Sequence, residues 1–280
     1  MGRSLYSQGE EYYEQGNYSR ALNLFRQALR DDANNQWDVM NYMGGCEIGL
    51  AHYVEALDIF NQIILLNPDW ERPVFNKGRV FMNMGMFQEA LACFEKAIVI
   101  NPENDNAFFY LALFYDKIQD YLNSEKYYKH AIRLNPNDAT YHTNLGMIYF
   151  HTDRLDIALD EFNIAYQLDP EPFVLHNKGR VLYKQQRYEE ALDCILEIHK
   201  SEPNDVDIMF DIAYIFYKLA RYKKALKWIT KTLDRDPSHN MARKLGKELK
   251  QKLDRNRLIL VKPSITIDRR GELHAEHESA

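Results

Sequence analysis

Small and aromatic residues return along this chain in a fixed order. A Tyr-x-x-Ala run or a close variant ends at Ala21, Ala56, Ala90, Ser124, Ala158, Ala191 and Ala225, at spacings of 35, 34, 34, 34, 33 and 34 residues. Twelve residues before each of these anchors stand Gly9, Gly44, Gly78, Ala112, Gly146, Gly179 and Ala213, all small. Four after it come Phe25, Phe60, Phe94, Tyr128, Phe162, Ile195 and Ile229. Twelve after it come Ala33 and then Pro68, Pro102, Pro136, Pro170, Pro203 and Pro237. Residues three and four apart share one helix face. Each unit therefore reads as two helices, here termed helix A and helix B. Small residues at the crossing let the two backbones approach. The proline, usually preceded by Asn or Asp, ends helix B and opens the next unit. One helix pair cannot bury its apolar face alone, whereas stacked neighbours bury it continuously.

This small–Tyr–small–Phe–Pro order at a 34-residue period resembles the tetratricopeptide repeat family. The resemblance spans about residues 2–239. It implies an all-α, right-handed superhelical solenoid of seven stacked helix-turn-helix repeats. From the anchors, the repeats run over about 2–36, 37–70, 71–104, 105–138, 139–171, 172–205 and 206–239. Three positions depart from the pattern. Glu47 replaces the helix A aromatic seen at Tyr12, Phe81, Tyr115, Tyr149 and Phe216, Ser124 replaces the anchor Ala, and Thr232 replaces a small apolar residue. Beyond the repeats, residues 240–256 place Met241, Leu245, Leu249 and Leu253 on one face with charges opposite, which predicts the polar capping helix a solenoid needs. Residues 257–280 lose the helical period and read as a flexible tail with a β-prone segment at Leu258–Val261.

Composition narrows the function. The chain has 280 residues, 46% apolar, with only 12 Gly and 9 Pro, which argues against a disordered or collagen-like protein. Its net charge of −6 argues against a general nucleic-acid binder. No apolar run approaches the ~18 residues of a membrane span, and the N-terminus lacks the apolar stretch of a secretory signal. Three cysteines, Cys46, Cys93 and Cys194, form no motif and read as reduced thiols of a cytoplasmic protein. No phosphate-binding, dinucleotide-binding, zinc-protease or nucleophile-elbow motif is present, so the expectation is a protein that is not an enzyme and needs no cofactor. His274 and His277 with Glu276 and Glu278 read as a solvated tail rather than a metal site.

Most aromatics read as core. Tyr12, Tyr18, Tyr53, Phe87, Tyr121, Tyr188 and Tyr222 fill repeat positions between helices. Phe75, Phe109 and Phe210, with His176 in register, lie three residues before the small residue of helix A. In the family this helix A face lines the concave groove, where an aromatic serves either a peptide pocket or inter-repeat packing. Two residues before the small residue stand Asn76, Asn144 and Asn177, and the pentapeptide NKGRV occurs at both 76–80 and 177–181. Asn is a mediocre helix former, and its amide offers two donors and an acceptor. A row of such amides can bond the backbone of an extended peptide, as several family members do; the alternative is a bond to a neighbouring helix or to water.

Arg79, Arg180 and Lys184, with Arg72 nearby, add a basic strip suited to an acidic or C-terminal peptide. Asp207 and Asp211 make the last repeat acidic on the same face, which could fix peptide direction. Family members that clamp the C-terminal carboxylate of heat-shock chaperones use Lys and Asn in a first repeat. Tyr6 and Glu10 stand at those places here, so no chaperone clamp is expected. The leading expectation is a scaffold or adaptor that binds a protein or peptide in its concave groove, without a nucleic-acid partner. The alternative is self-assembly through the ends or the tail, with Leu258–Val261 adding to another copy or lying back in its own groove.

Overall fold

The computed structural model describes residues 4–31, 36–260, 265–267 and 273–275. Among them are fifteen α-helices and two short strands. The chain divides into two compact units, residues 1–154 and 155–280.

The first unit holds α1 (Leu5–Glu14), α2 (Tyr18–Asp31), α3 (Gln36–Gly49), α4 (Tyr53–Leu66), α5 (Glu71–Asn83), α6 (Phe87–Ile100), α7 (Asp105–Lys117), α8 (Tyr121–Leu134) and α9 (Ala139–His151). Odd-numbered helices up to α13 are the A helices. Helices α1–α8 form four antiparallel hairpins, and each hairpin packs on the next element. The A helices α1, α3, α5 and α7 also touch in succession, which lays their exposed faces side by side.

The second unit holds α10 (Leu155–Leu168), α11 (Pro172–Lys184), α12 (Tyr188–Ser201), α13 (Val206–Lys218), α14 (Tyr222–Arg235) and α15 (Asn240–Leu260). Here α11/α12 and α13/α14 are the hairpins, α10 packs on α11, and α15 covers α14. Strands β1 (Ile265–Ile267) and β2 (Leu273–Ala275) pair antiparallel, Thr266 opposite His274.

The small residues of helix A do what their spacing implies. A Cβ built on Gly9, Gly44 or Gly78 would stand 2.7, 2.6 and 2.6 Å from the rings of Phe25, Phe60 and Phe94. Those rings and the anchor alanines Ala21, Ala56 and Ala90 are fully buried. Two of the departures from the pattern find local partners. Ser124 Oγ donates to the Ala112 carbonyl at 2.9 Å, and Thr232 Oγ1 to the Trp228 carbonyl at 3.0 Å. Glu47, 4% exposed where other repeats carry an aromatic, is held by Arg26 at 3.2 Å and His52 at 2.9 Å.

The turn between helix A and helix B repeats without exception. Five residues before each anchor the backbone is left-handed, at Gly16, Ala51, Gly85, Gln119, Asp153, Gln186 and Ala220, with φ from 55° to 75°. The next amide then donates to the carbonyl five residues back, as in Asn17 to Tyr12, Asp120 to Tyr115 and Arg187 to Leu182. This closes the helix end in the manner that usually calls for glycine. Only two of the seven positions are glycine.

The open ends of two hairpins are clasped. Asn101, just after α6, donates to Glu71 at the start of α5 (3.2 Å), and Asn135, after α8, donates to Asp105 at the start of α7 (3.1 Å). In the second repeat Trp37 stands where the acid would be. The Asn67 amide nitrogen is buried there without a hydrogen-bond partner among the described residues.

The C-terminal end differs from expectation in two ways. Helix α15 continues to Leu260, so the Leu258–Val261 segment is helical as far as Leu260, and the strand follows at Ile265. Its buried face is Ala242, Leu245 and Leu249, spaced three and four apart, while Met241 is 62% exposed. The rest of the tail, with Glu276, His277 and Glu278, lies outside the described residues.

Candidate functional site

In the first unit the A helices build one polar and aromatic strip. Asn76 on α5 is buried; its Nδ2 donates to Asn41 Oδ1 on α3 at 3.0 Å, and its Oδ1 accepts from Arg79 Nη1 at 3.1 Å. The Arg79 guanidinium lies 5.5 Å from the Tyr110 ring of α7 and 6.0 Å from Phe75. It also bonds the Tyr13 hydroxyl of α1. Burial pushes the ionisation of that hydroxyl up, and Arg79 opposes the shift. Tyr6 and Tyr42 both hydrogen-bond Glu10, and burial first, then this carboxylate, pushes their ionisation up. Four successive A helices are thus joined through Arg79 and Asn76.

The aromatic positions lie among other rings. Phe75 is 9% exposed, edge-on to Tyr110 at 5.2 Å and near Phe94. Phe109 stacks on Tyr141 at 4.9 Å and meets Tyr110 and Tyr128. Beside Phe75 and Asn76 an open polar cleft of about 380 Å³ runs between the starts of α5 and α7, with Arg72, Asn104 and Asp105 on its walls. Arg72 reaches Asp38 at 4.0 Å, and both side chains are exposed. The Asn144 amide turns back on its own helix, donating to the Thr140 carbonyl at 2.8 Å.

In the second unit the other NKGRV copy folds like the first. Asn177 is 2% exposed and its Oδ1 accepts from Arg180 Nη1 at 3.0 Å. Its Nδ2 is buried without a partner among the described residues. Arg180 and Lys184 are exposed on α11. His176 faces Asp211 of α13 at 3.5 Å, and Asp207 faces His239 at 3.6 Å. Phe210 is 9% exposed and packs on Tyr214 and His239.

The three asparagines therefore do not form a row of free amides. Two of them use the carbonyl oxygen to hold an arginine, and the third bonds its own helix. Sequence reasoning missed Asn41, Tyr13 and Tyr110. Asn41 carried a readable signal, because it stands in the register of Phe75 and Phe109, where an amide is out of place.

Models of the tetratricopeptide repeat match residues 12–74, 75–104, 106–138, 127–160 and 176–240. The chain belongs to the tetratricopeptide repeat family. Among curated proteins, a TPR repeat-containing protein of Pseudomonas aeruginosa is 29% identical over 114 residues, 38% of this chain and 19% of its own length. A peroxisomal targeting signal receptor of Candida albicans is 25% identical over 151 residues, 48% of this chain and 26% of its own length. The chain thus spans about a fifth to a quarter of these tetratricopeptide relatives. Among solved structures, the APC/C hetero-tetramer Cut9–Hcn1 superposes with a TM-score of 0.65 at 18% identity, over 86% of this chain and 48% of that one. YrrB, described as a TPR protein with an unusual peptide-binding site, gives 0.60 at 20% identity, over 67% and 97%. These likenesses show the tetratricopeptide fold. Among the described residues no helix is long and apolar enough to cross a membrane.

Proposed function

We propose that this tetratricopeptide chain is a non-catalytic scaffold that holds extended protein or peptide segments against the A-helix faces of each unit. Arg79 in the first unit and Arg180 in the second are the groups that grip acidic side chains or a C-terminal carboxylate. The observation that carries this reading is the duplicated pair. In both NKGRV copies a buried asparagine oxygen fixes an arginine Nη1, at 3.1 and 3.0 Å. A guanidinium has five N–H donors in a rigid fork. Holding one edge from below pre-orients the remaining donors, which lowers the ordering cost of binding. The polar cleft beside Asn76 gives room for a main chain, and its walls carry Arg72 together with Glu71, Glu103 and Asp105. In the second unit Lys184 extends the basic face, and Asp211 beside His176 bounds it. YrrB, a peptide-binding protein of the same fold, supports the mode of binding and leaves the partner open.

The test is selection from a displayed library of random peptides with free C-termini. The wild type is expected to enrich Asp- and Glu-rich sequences or particular C-termini. Folded Arg79→Ala and Arg180→Ala variants are expected to lose that enrichment. Equal enrichment by wild type and both variants would remove the arginines, and with them the A-helix face, from consideration.

A further inference from the structure

The charge of this chain is unevenly placed. Residues 218–257 contain fourteen Lys and Arg against four Asp and Glu, a net of +10, inside a chain of 35 and 41 with net −6. The other 240 residues therefore carry −16. The positive segment coincides with α14 and α15, which pack against each other at the end of the second unit. On α14, Lys223, Lys224, Lys227 and Lys231 are exposed, and on α15, Lys244, Lys247 and Lys250. Buried residues of the same helices, Ala225, Ile229, Ala242, Leu245 and Leu249, face the core, so the lysines all point outward. The arginines are largely tied down: Arg221 pairs with Glu189 at 2.6 Å and Arg243 bonds the Pro237 carbonyl at 2.6 Å. Lys223, Lys227, Lys247 and Lys250 have no ion-pair partner among the described residues. An open cleft of about 480 Å³ at this end is lined by Arg221, Tyr222, Lys223, Lys224 and Leu253.

We infer that the α14–α15 surface is a second binding site, separate from the A-helix faces, for a short acidic segment of a partner protein. Two observations bear on this occupant, and the second chooses it over extended polyanions. The first is spacing. Lys223, Lys227 and Lys231 recur every four residues, about 6 Å of helix rise. Alternate side chains of an extended peptide recur at roughly 6.5 Å. An extended segment with acids at every second position meets these three lysines in register.

The second observation is the border. The outer face of α12, beside α14, carries Glu189, Glu190, Asp193 and Glu197, all exposed, and the Arg221–Glu189 pair marks where the positive surface stops. A bilayer plane or a long nucleic acid would bring its phosphates onto those carboxylates, and like charges held together there oppose it. A segment of about eight to ten residues, some 30 Å extended, stays within the patch.

The probe is a fluorescein-labelled decapeptide of alternating Glu and Ser, titrated with the full chain and read by anisotropy. The wild type is expected to bind, more weakly as salt rises. The triple reversal Lys223→Glu, Lys227→Glu, Lys247→Glu is expected to weaken binding about tenfold or more. A control with the same net charge, Arg30→Glu, Lys96→Glu, Lys200→Glu, is expected to bind within about twofold of the wild type. Circular dichroism confirms that both variants are folded. Equal weakening by both sets, or none by the first, overturns the site. Tighter binding, through the same lysines, of a single-stranded oligonucleotide or of phosphatidylserine vesicles also overturns it and assigns the patch to that polyanion.

Discussion

Tyr128 offers a sharp test of how the repeat core is built. It occupies the position filled by Phe25, Phe60, Phe94 and Phe162 in four other repeats, and like them it is fully buried. Its hydroxyl has no hydrogen-bond partner among the described residues. The ring contributes what the phenylalanines contribute, packing near Phe109 at 5.9 Å, while the oxygen contributes only its loss of hydration. Burial, and secondarily the charge of Asp116, pushes the ionisation of this hydroxyl far above its usual range. An unpartnered buried hydroxyl costs about 1–3 kcal/mol, and the small void left by removing the oxygen takes back part of that. Tyr128→Phe is therefore expected to stabilise the first unit by about 1 kcal/mol, a rise of roughly 2–4 °C in Tm for a unit of this size. Urea titration followed by circular dichroism at 222 nm reads the shift in midpoint. A lower midpoint would refute the reasoning, since it would mean that the hydroxyl holds a partner worth more than its desolvation.

Other outcomes are equally checkable. Gln119→Gly and Gln186→Gly relieve side chains held at φ 61° and 62°, and each is expected to stabilise by about 1 kcal/mol in thermal unfolding. Gly44→Ala puts a Cβ 2.6 Å from the Phe60 ring and is expected to cost about 1–3 kcal/mol in the same assay. Burial pushes the Glu125 carboxyl up, but Arg154 at 2.6 Å and Lys129 at 2.7 Å outweigh it and leave it below its usual 4.5. A depressed carboxyl stabilises the fold above its unfolded value and loses that contribution as pH falls through the folded value. The wild type should therefore lose stability relative to Glu125→Gln as pH is lowered below about 4.5. Burial pushes the Cys46 thiol up to about 12 and also raises Cys93 and Cys194. Ellman's reagent at pH 8 should label the native protein slowly and all three thiols promptly in denaturant.

The fold was legible because its determinants are spaced at fixed intervals. Gly44 with Phe60, or Gly78 with Phe94, is a steric pair that any reader of the register recovers. The left-handed turn residues were not legible. Gln119 and Ala220 carry no conformational signature, and only the closure of the helix end imposes their φ. At the candidate site the positions of the asparagines were legible and the roles of their atoms were not. Asn76 and Asn177 were singled out for their amide donors, yet both present the carbonyl oxygen to an arginine three residues on. At Asn76 the choice is set by Asn41 and Tyr13, which belong to other repeats, whereas Asn177 makes it with its amide nitrogen unpartnered among the described residues. Glu47 showed as an anomaly, but its partner Arg26 lies 21 residues away, and no period links them. The basic surface of α14 and α15 was hidden for a different reason. A net charge of −6 averages +10 with −16.

The clasps at Asn101 and Asn135 have a mechanical meaning. Tension along the chain enters a hairpin at the start of helix A and leaves at the end of helix B. In the third and fourth repeats those two points are joined by a hydrogen bond, so load passes across the clasp and bypasses the hairpin until the bond yields. The second repeat lacks the joint among the described residues, because Trp37 offers the Asn67 amide nitrogen no acceptor. In a single-molecule pulling experiment the second hairpin should yield at lower force than the third and fourth, so the first unit should give way in unequal steps.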